Sequence, residues 1–169
     1  REHGARMVFC STDTVFDGTQ GMYSEDDAPR PLNYYAETKV RAEQIVQAEL
    51  DNMVIARLSL VMGFPLIGAG NSFLASMTAS FQKGISVAVP ANEIRTPIDV
   101  VTLGRALLEL AGDEFTGILH LAGNTRLNRY EMAVRIAERI GFSRDLVQRT
   151  NSNAMSHRAP RPNDASLDN

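Results

Sequence analysis

Short apolar runs alternate with longer stretches of mixed polarity along this chain. The run at 7–10 (MVFC), soon after Gly4, predicts a buried strand. Residues 11–32 are rich in Thr, Asp, Gly and Pro and hold no sustained period. Ordinary connections are ~4–6 residues long, so a segment of this length is expected to carry function. Pro29 and Pro31 end it, and Asn33 is placed to cap a helix over 34–49. Val40, Ile45 and Val46 supply its apolar positions; Glu37, Arg41, Gln44 and Gln47 are polar. A second buried strand is predicted at 53–60 (MVIARLSL), then a loop marked by Gly63, Pro65, Gly68 and Gly70. A helix over 71–83 closes on Gly84. A strand at 85–89 ends at Pro90, and 95–98 is extended because Pro97 pushes its predecessor out of the α region. Asp99 caps a helix to 111, residues 117–122 form a strand, and Asn128-x-x-Glu131 reads as a capping box for a helix to Ile140. Little regular structure is expected after Thr150. Strands alternating with helices predict an α/β fold with a parallel sheet.

Composition narrows the function classes. The 169 residues suit about one domain. Apolar residues at 44% and charged residues at 22% exclude disorder as the dominant state. Seventeen basic against twenty acidic residues leave a net charge of −3, without the basic footprint of a nucleic-acid binder. Cys10 is the single cysteine and the three histidines are far apart, so no metal site is expected. Residues 58–82 carry no charge over a length that could span a bilayer, but the Gly, Pro and hydroxyl residues inside it read as strand, loop and helix of a core. No membrane association is expected, and the apolar run after Arg6 is too short for a signal peptide. A cytoplasmic, reducing location follows as the default. The acidic residues Asp13, Asp17, Glu25, Asp26 and Asp27 read as a solvated loop, and His120 as a hydrogen-bonded core residue.

The strongest chemical signal is Tyr35-Ala-Glu-Thr-Lys39. At i, i+4 on a helix the two side chains share a face. A phenol has a pKa of about 10, and a neighbouring ammonium lowers it toward a useful acid/base. Spacing alone favours a helix with a half-buried tyrosine and a solvated lysine, and the surrounding sequence shifts the balance. Ser11-Thr12-Asp13 adds context, because ligands of open α/β sheets sit beyond the carboxyl ends of strands. A hydroxyl there, from Ser11 or Thr12, can bond the oxygen that Tyr35 protonates.

STDTVFDG followed by YSEDDAPRPLNYYAETKVRAEQ resembles dTDP-4-dehydrorhamnose reductases of the extended short-chain dehydrogenase/reductase superfamily. The likeness continues through RLSLVMG at 57–63, GNSF at 70–73, RTPIDV at 95–100 and RAPRPNDASLD at 158–168. It implies a partial Rossmann-like parallel sheet with a small substrate-binding subdomain: residues 1–63 as the later part of the dinucleotide fold, 64–169 as return strands and the sugar-nucleotide region. It implies reduction of a nucleotide-linked 4-keto sugar by NADPH or NADH. Tyr35 matches the proton donor, and Lys39 the residue that lowers its pKa and holds the nicotinamide ribose. Thr12 is the hydroxyl partner, with Ser11 at the cofactor edge. Asn71, Phe73 and Arg161 fall in segments lining the sugar nucleotide. Arg95, Arg158 and Arg161 are the cations suited to its diphosphate.

Three departures stand out. Leu60 and Met62 occupy positions where the family commonly has aromatics, and neither can stack on a sugar face. Thr14 follows STD where Tyr is frequent. No G-x-x-G-x-x-G turn lies at a strand–helix junction, so the N-terminal βαβ units that hold a cofactor pyrophosphate are expected to be missing, and residues 1–5 read as the end of a helix. An edge left unpaired would need a homodimer partner or the missing half. A sugar-nucleotide epimerase or dehydratase, a non-catalytic NADP-binding regulatory subunit such as the methionine adenosyltransferase β subunit, and an inert fragment are the alternatives.

Overall fold

The computed structural model describes residues 4–64, 72–154 and 158–169. In chain order the elements are β1 (Met7–Thr12), α1 (Tyr34–Glu49), β2 (Met53–Leu58), β3 (Val61–Met62), α2 (Phe73–Gln82), β4 (Val87–Pro90), β5 (Ile94–Arg95), β6 (Ile98–Asp99), α3 (Val100–Gly112), β7 (Gly117–Leu121), β8 (Leu127–Asn128), α4 (Arg129–Arg139) and β9 (Val147–Thr150). The main sheet is parallel, in the order β1-β2-β7, with Phe9 opposite Ile55 and Ile55 opposite Ile118. β2 lies in the middle, and Met53 through Arg57 are all buried. A parallel strand covered on both faces needs such a continuous apolar run. Ile55 packs with Val46 and Leu50 of the α1 layer, while Ala56 meets Leu103, Leu107 and Leu110 of α3. This is the Rossmann-like α/β sheet the sequence predicts. β1 forms one edge, with no further strand beside it among the described residues.

A second core joins α2, α4, β4 and β9 around Met77, Phe81, Val89, Ala133 and Val147. Asn33, Ser72, Asp99 and Asn128 cap the four helices, and at Asn128 both halves of the capping box form. Each cap contributes about 1 kcal/mol.

Several elements differ from their sequence expectations. β1 extends through Ser11 and Thr12, whose backbones pair with Arg57 and Leu58. β2 stops at Leu58, and Val61–Met62 leaves to pair with β6. The helix expected from 71 begins at Phe73, since Ser72 caps it. β9 was not anticipated: of its residues only Val147 is buried, so no alternation marks it. Ile45 is exposed, and α1 buries Ala36, Glu43 and Val46 instead. The tail has only isolated bridges, Leu167 to Tyr23 and Asp164 to Ile94, yet Asp164 through Leu167 are buried. The helix end expected at 1–5 falls largely outside the described residues. No helix among the described residues is long and apolar enough to cross a membrane.

Candidate functional site

The carboxyl end of β1 and the first two turns of α1 carry the expected catalytic residues. Asn33 Oδ1 accepts from the Ala36 N–H at 3.0 Å and starts the helix. Tyr35 follows in the first turn, 55% exposed. Lys39, one turn on, donates from Nζ to the Cys10 carbonyl at 3.0 Å, and its ammonium stands 5.0 Å from the Phe9 ring centre. The lysine is thereby anchored to the strand end rather than trailing in solvent. Thr12 closes β1; its Oγ1 accepts from the Thr14 N–H at 3.3 Å and donates to Asp13 Oδ1 at 3.2 Å.

Ser11 does not belong with them. Its side chain is buried and its hydroxyl donates to the Glu43 carboxylate of α1, which is also paired to Arg57 at 2.9 Å. Successive side chains of a strand face opposite sides, and the α1 side places Ser11 inside a buried ion-pair network. The expectation that its side chain meets the cofactor is corrected on that ground.

Asp13 also departs from expectation. It is buried, not solvated, and pairs with Arg95 Nε at 3.3 Å. Burial pushes its carboxyl above the ordinary range, with Arg95 and the Thr12 hydroxyl opposing. Arg95 donates to the Pro162 carbonyl at 3.2 Å as well as to that of Ile94 at 2.6 Å. It is a buried cross-link from β1 to the tail, so it is withdrawn from the diphosphate candidates. His120 is the core residue expected: its Nδ1 lies 3.2 Å from the Asp168 carbonyl, and burial lowers its pKa.

The tail returns to α1. Asn33 Nδ2 donates to the Pro160 carbonyl at 2.8 Å, which puts the exposed Arg161 next to the residue that starts α1. A 240 Å³ cavity lies here, lined by Ser152, Asn153, Arg158, Ala159, Pro160 and Arg161. Arg158 Nη1 stands 2.9 Å from Glu93 Oε1, and Arg129 Nε stands 3.9 Å from Glu93 Oε2. The Arg129 guanidinium stacks over the Phe73 ring at 4.6 Å. Phe73 thus meets the Arg129–Glu93–Arg158 cluster, and Arg161 lines the cavity with Arg158; Asn71 lies outside the described residues. Met62 lines a separate apolar cleft of 480 Å³ with Leu74, Ile98, Val100 and Ile136. The described residues hold no metal-ligating cluster.

A family model for the RmlD substrate binding domain matches residues 1–169. The chain belongs to that family. Among RmlD-type structures it superimposes on dTDP-4-dehydrorhamnose reductase from Bacillus anthracis in complex with NADP, with a TM-score of 0.89 and 26% identity over 97% of this chain and 57% of that one. The hypothetical dTDP-4-dehydrorhamnose reductase of Sulfolobus tokodaii gives a TM-score of 0.80 and 33% identity over 96% and 55%. The methionine adenosyltransferase 2 subunit beta of Bos taurus is 32% identical over 98% of this chain and 51% of its own length. The chain spans about half the length of the relatives it matches.

Sequence reading of this RmlD-type chain overlooked Glu93 and Arg129 entirely and saw Asn33 only as a helix cap. Glu93 is the one acidic residue between Pro90 and Pro97, and Arg129 opens a helix; neither belongs to a spacing pattern. The one available signal was the clustering of arginines in the tail.

Proposed function

We propose that the protein reduces the keto group of a nucleotide-activated 4-keto sugar with a nicotinamide cofactor, and that Tyr35 delivers the proton. The observation that supports it best is the bond from Asn33 to the Pro160 carbonyl: one residue caps the helix bearing Tyr35 and docks the segment bearing Arg161. A proton donor and anion-binding side chains on one short stretch of surface suit a substrate with a carbonyl at one end and a diphosphate at the other.

The described residues fit the nicotinamide-ribose end of such a cofactor. The Lys39 ammonium has three donors, and the Cys10 carbonyl takes one. The others can hold ribose hydroxyls and stabilise a developing Tyr35 phenolate. The cofactor supplies the hydride. Tyr35 supplies the proton to the sugar oxygen, Thr12 orients that oxygen, and Arg158 and Arg161 hold the diphosphate. On this reading the Gly-rich turn for the cofactor pyrophosphate lies outside these residues, and the free edge of β1 takes a further strand from the remaining half of the fold or from a second copy.

A second reading is a non-catalytic subunit that binds a partner enzyme; the identity to methionine adenosyltransferase 2 subunit beta favours it. Tyr35→Phe in the intact protein separates the two. As proton donor, its loss lowers NADPH-dependent turnover of 4-keto sugar nucleotides by roughly 10²–10⁴-fold, with nucleotide binding retained. A wild-type protein that turns over no such sugar, and whose Phe variant keeps all function, refutes the reductase reading.

A further inference from the structure

Glu93 is fully buried, and neither of its carboxylate oxygens accepts a hydrogen bond among the described residues. Among the described residues its charge is met by Arg158 and Arg129. Taking a carboxylate out of water costs several kcal/mol, and an apolar residue of similar volume is often as stable or better. Stability alone therefore gives a weak reason for a glutamate here, and the geometry gives a stronger one.

The backbone on either side of Glu93 is tied to the tail. Asn92 Nδ2 donates to Asn163 Oδ1 at 2.8 Å and to Ser152 Oγ at 2.9 Å, and the Ile94 N–H donates to the Asn163 carbonyl at 2.6 Å. The Glu93 carbonyl itself accepts from the Arg129 N–H at 2.9 Å. The carboxylate thus has a fixed origin. Arg129 is held between it and the Phe73 ring, so the plane of its guanidinium is set from two sides. Arg161 lines the same cavity as Arg158; burial lowers the Arg129 pKa, Glu93 opposes that, and Arg95, Arg161 and Arg158 add to the lowering. Arg95 is matched by Asp13. Arg129 and Arg158 thus meet one carboxylate, and Arg161 lines the cavity beside Arg158.

We infer that Glu93 is a positioning residue for the diphosphate of a nucleotide sugar, holding Arg129 and Arg158 on one carboxylate so that they and Arg161 meet the anion in fixed orientation. This rests on the nucleotide-sugar reading above and adds Arg129 to the anion contacts. The opposing view makes Glu93 a mere counter-charge, and the two views predict opposite signs. Removing the charge makes this cluster one unit more positive, so a counter-charge role tightens anion binding, whereas a positioning role weakens it.

The test is calorimetric titration of the intact protein with thymidine 5′-diphosphate and, separately, with thymidine, for wild type, Glu93→Gln and Arg129→Lys. The expected result is a Kd for the diphosphate raised tenfold or more in both variants, with thymidine binding unmoved. Unchanged or tighter diphosphate binding in folded Glu93→Gln overturns the proposal, as does an equal loss for thymidine, which marks a general structural defect. Should Glu93→Gln not fold, Arg129→Lys carries the test, since it keeps the charge and loses the planar fork that Glu93 orients; unchanged diphosphate binding there overturns the proposal. A wild type that binds neither probe overturns the nucleotide-sugar reading and this inference with it. Wild-type binding that both variants match overturns the role of Glu93 alone.

Discussion

Glu43 and Arg57 join α1 to the centre of the sheet, and breaking that pair tests how this helix is held. Both side chains are 2–3% exposed. Arg57 donates from Nε to Oε1 and Oε2 at 3.2 and 3.3 Å and from Nη2 to Oε2 at 2.9 Å, while the Ser11 hydroxyl donates to Oε1. The guanidinium also stands 5.2 Å from the Phe16 ring centre. Removing one partner strands the other charge in the core, a loss of about 3–5 kcal/mol. At ~2–4 °C per kcal/mol for a chain of this size, Glu43→Leu or Arg57→Leu lowers Tm by roughly 6–20 °C. The double variant leaves no stranded charge. It loses only the Ser11 bond and the Phe16 contact, about 1–2 kcal/mol together. Urea unfolding of the intact protein, run as a double-mutant cycle, reads the coupling directly. A double variant as unstable as the sum of the two singles refutes the reasoning, because the pair would then not be coupled.

Lys39→Met removes a charge-assisted hydrogen bond of about 1.5–3 kcal/mol, so the Kd for NADPH in the intact protein is expected to rise roughly tenfold or more, by fluorescence titration. Asp164 gives an acid limb: burial acts to raise its pKa, but hydrogen bonds from the Arg126 guanidinium and from Ser166 hold it below the ordinary 3.8. A depressed carboxylate adds stability that is present above its unfolded pKa and lost as pH falls through the folded value; Asp164→Asn is therefore expected to flatten the fall in stability below about pH 4, measured by urea melts across pH. Gly123 lies against the backbone of the segment before β6, donating its N–H to the Thr96 carbonyl at 3.0 Å, and a Cβ there would run into the Pro97 carbonyl oxygen. Gly123→Ala is expected to cost about 1–3 kcal/mol by overpacking, read as a lower urea midpoint.

What was legible in the sequence was local. Asn33, Asp99 and Asn128 announce helix starts because a cap needs only its own side chain and an amide two or three residues on. β2 announces itself because a doubly covered parallel strand must be apolar throughout. Tyr35 and Lys39 could be placed on one helix for the same reason of short range. What was not legible depends on partners far along the chain. Ile45 looked like core and is exposed because Glu43, on the inward face, meets Arg57 across the sheet. Asp13 looked like loop surface and is buried because Arg95 arrives from the other side. β9 shows no alternation because one buried valine suffices to seat it on β4.

The tail explains why a motif can be recognised where no regular element is. Residues 158–169 form neither helix nor long strand, yet their backbone is satisfied by groups spread over the fold: the Asp164 N–H by the Gly18 carbonyl, the Ala165 N–H by Ile94, the Leu167 N–H by the Thr96 hydroxyl, and the Pro160 and Pro162 carbonyls by Asn33 and Arg95. The bonds from the Asn33, Arg95 and Thr96 side chains fix those residue types for reasons unrelated to periodicity. Gly18 has φ +75, and a side chain there would meet Pro162; Gly21 has φ +71, and one there would meet the Asp164 carboxylate. The segment that carries Arg158 and Arg161 is therefore ordered by the strand end, the long loop and α1 together. The Asn33–Pro160 bond ties that segment to the start of α1, two residues before Tyr35, so the proposed anion-binding residues and the proposed proton donor depend on one network.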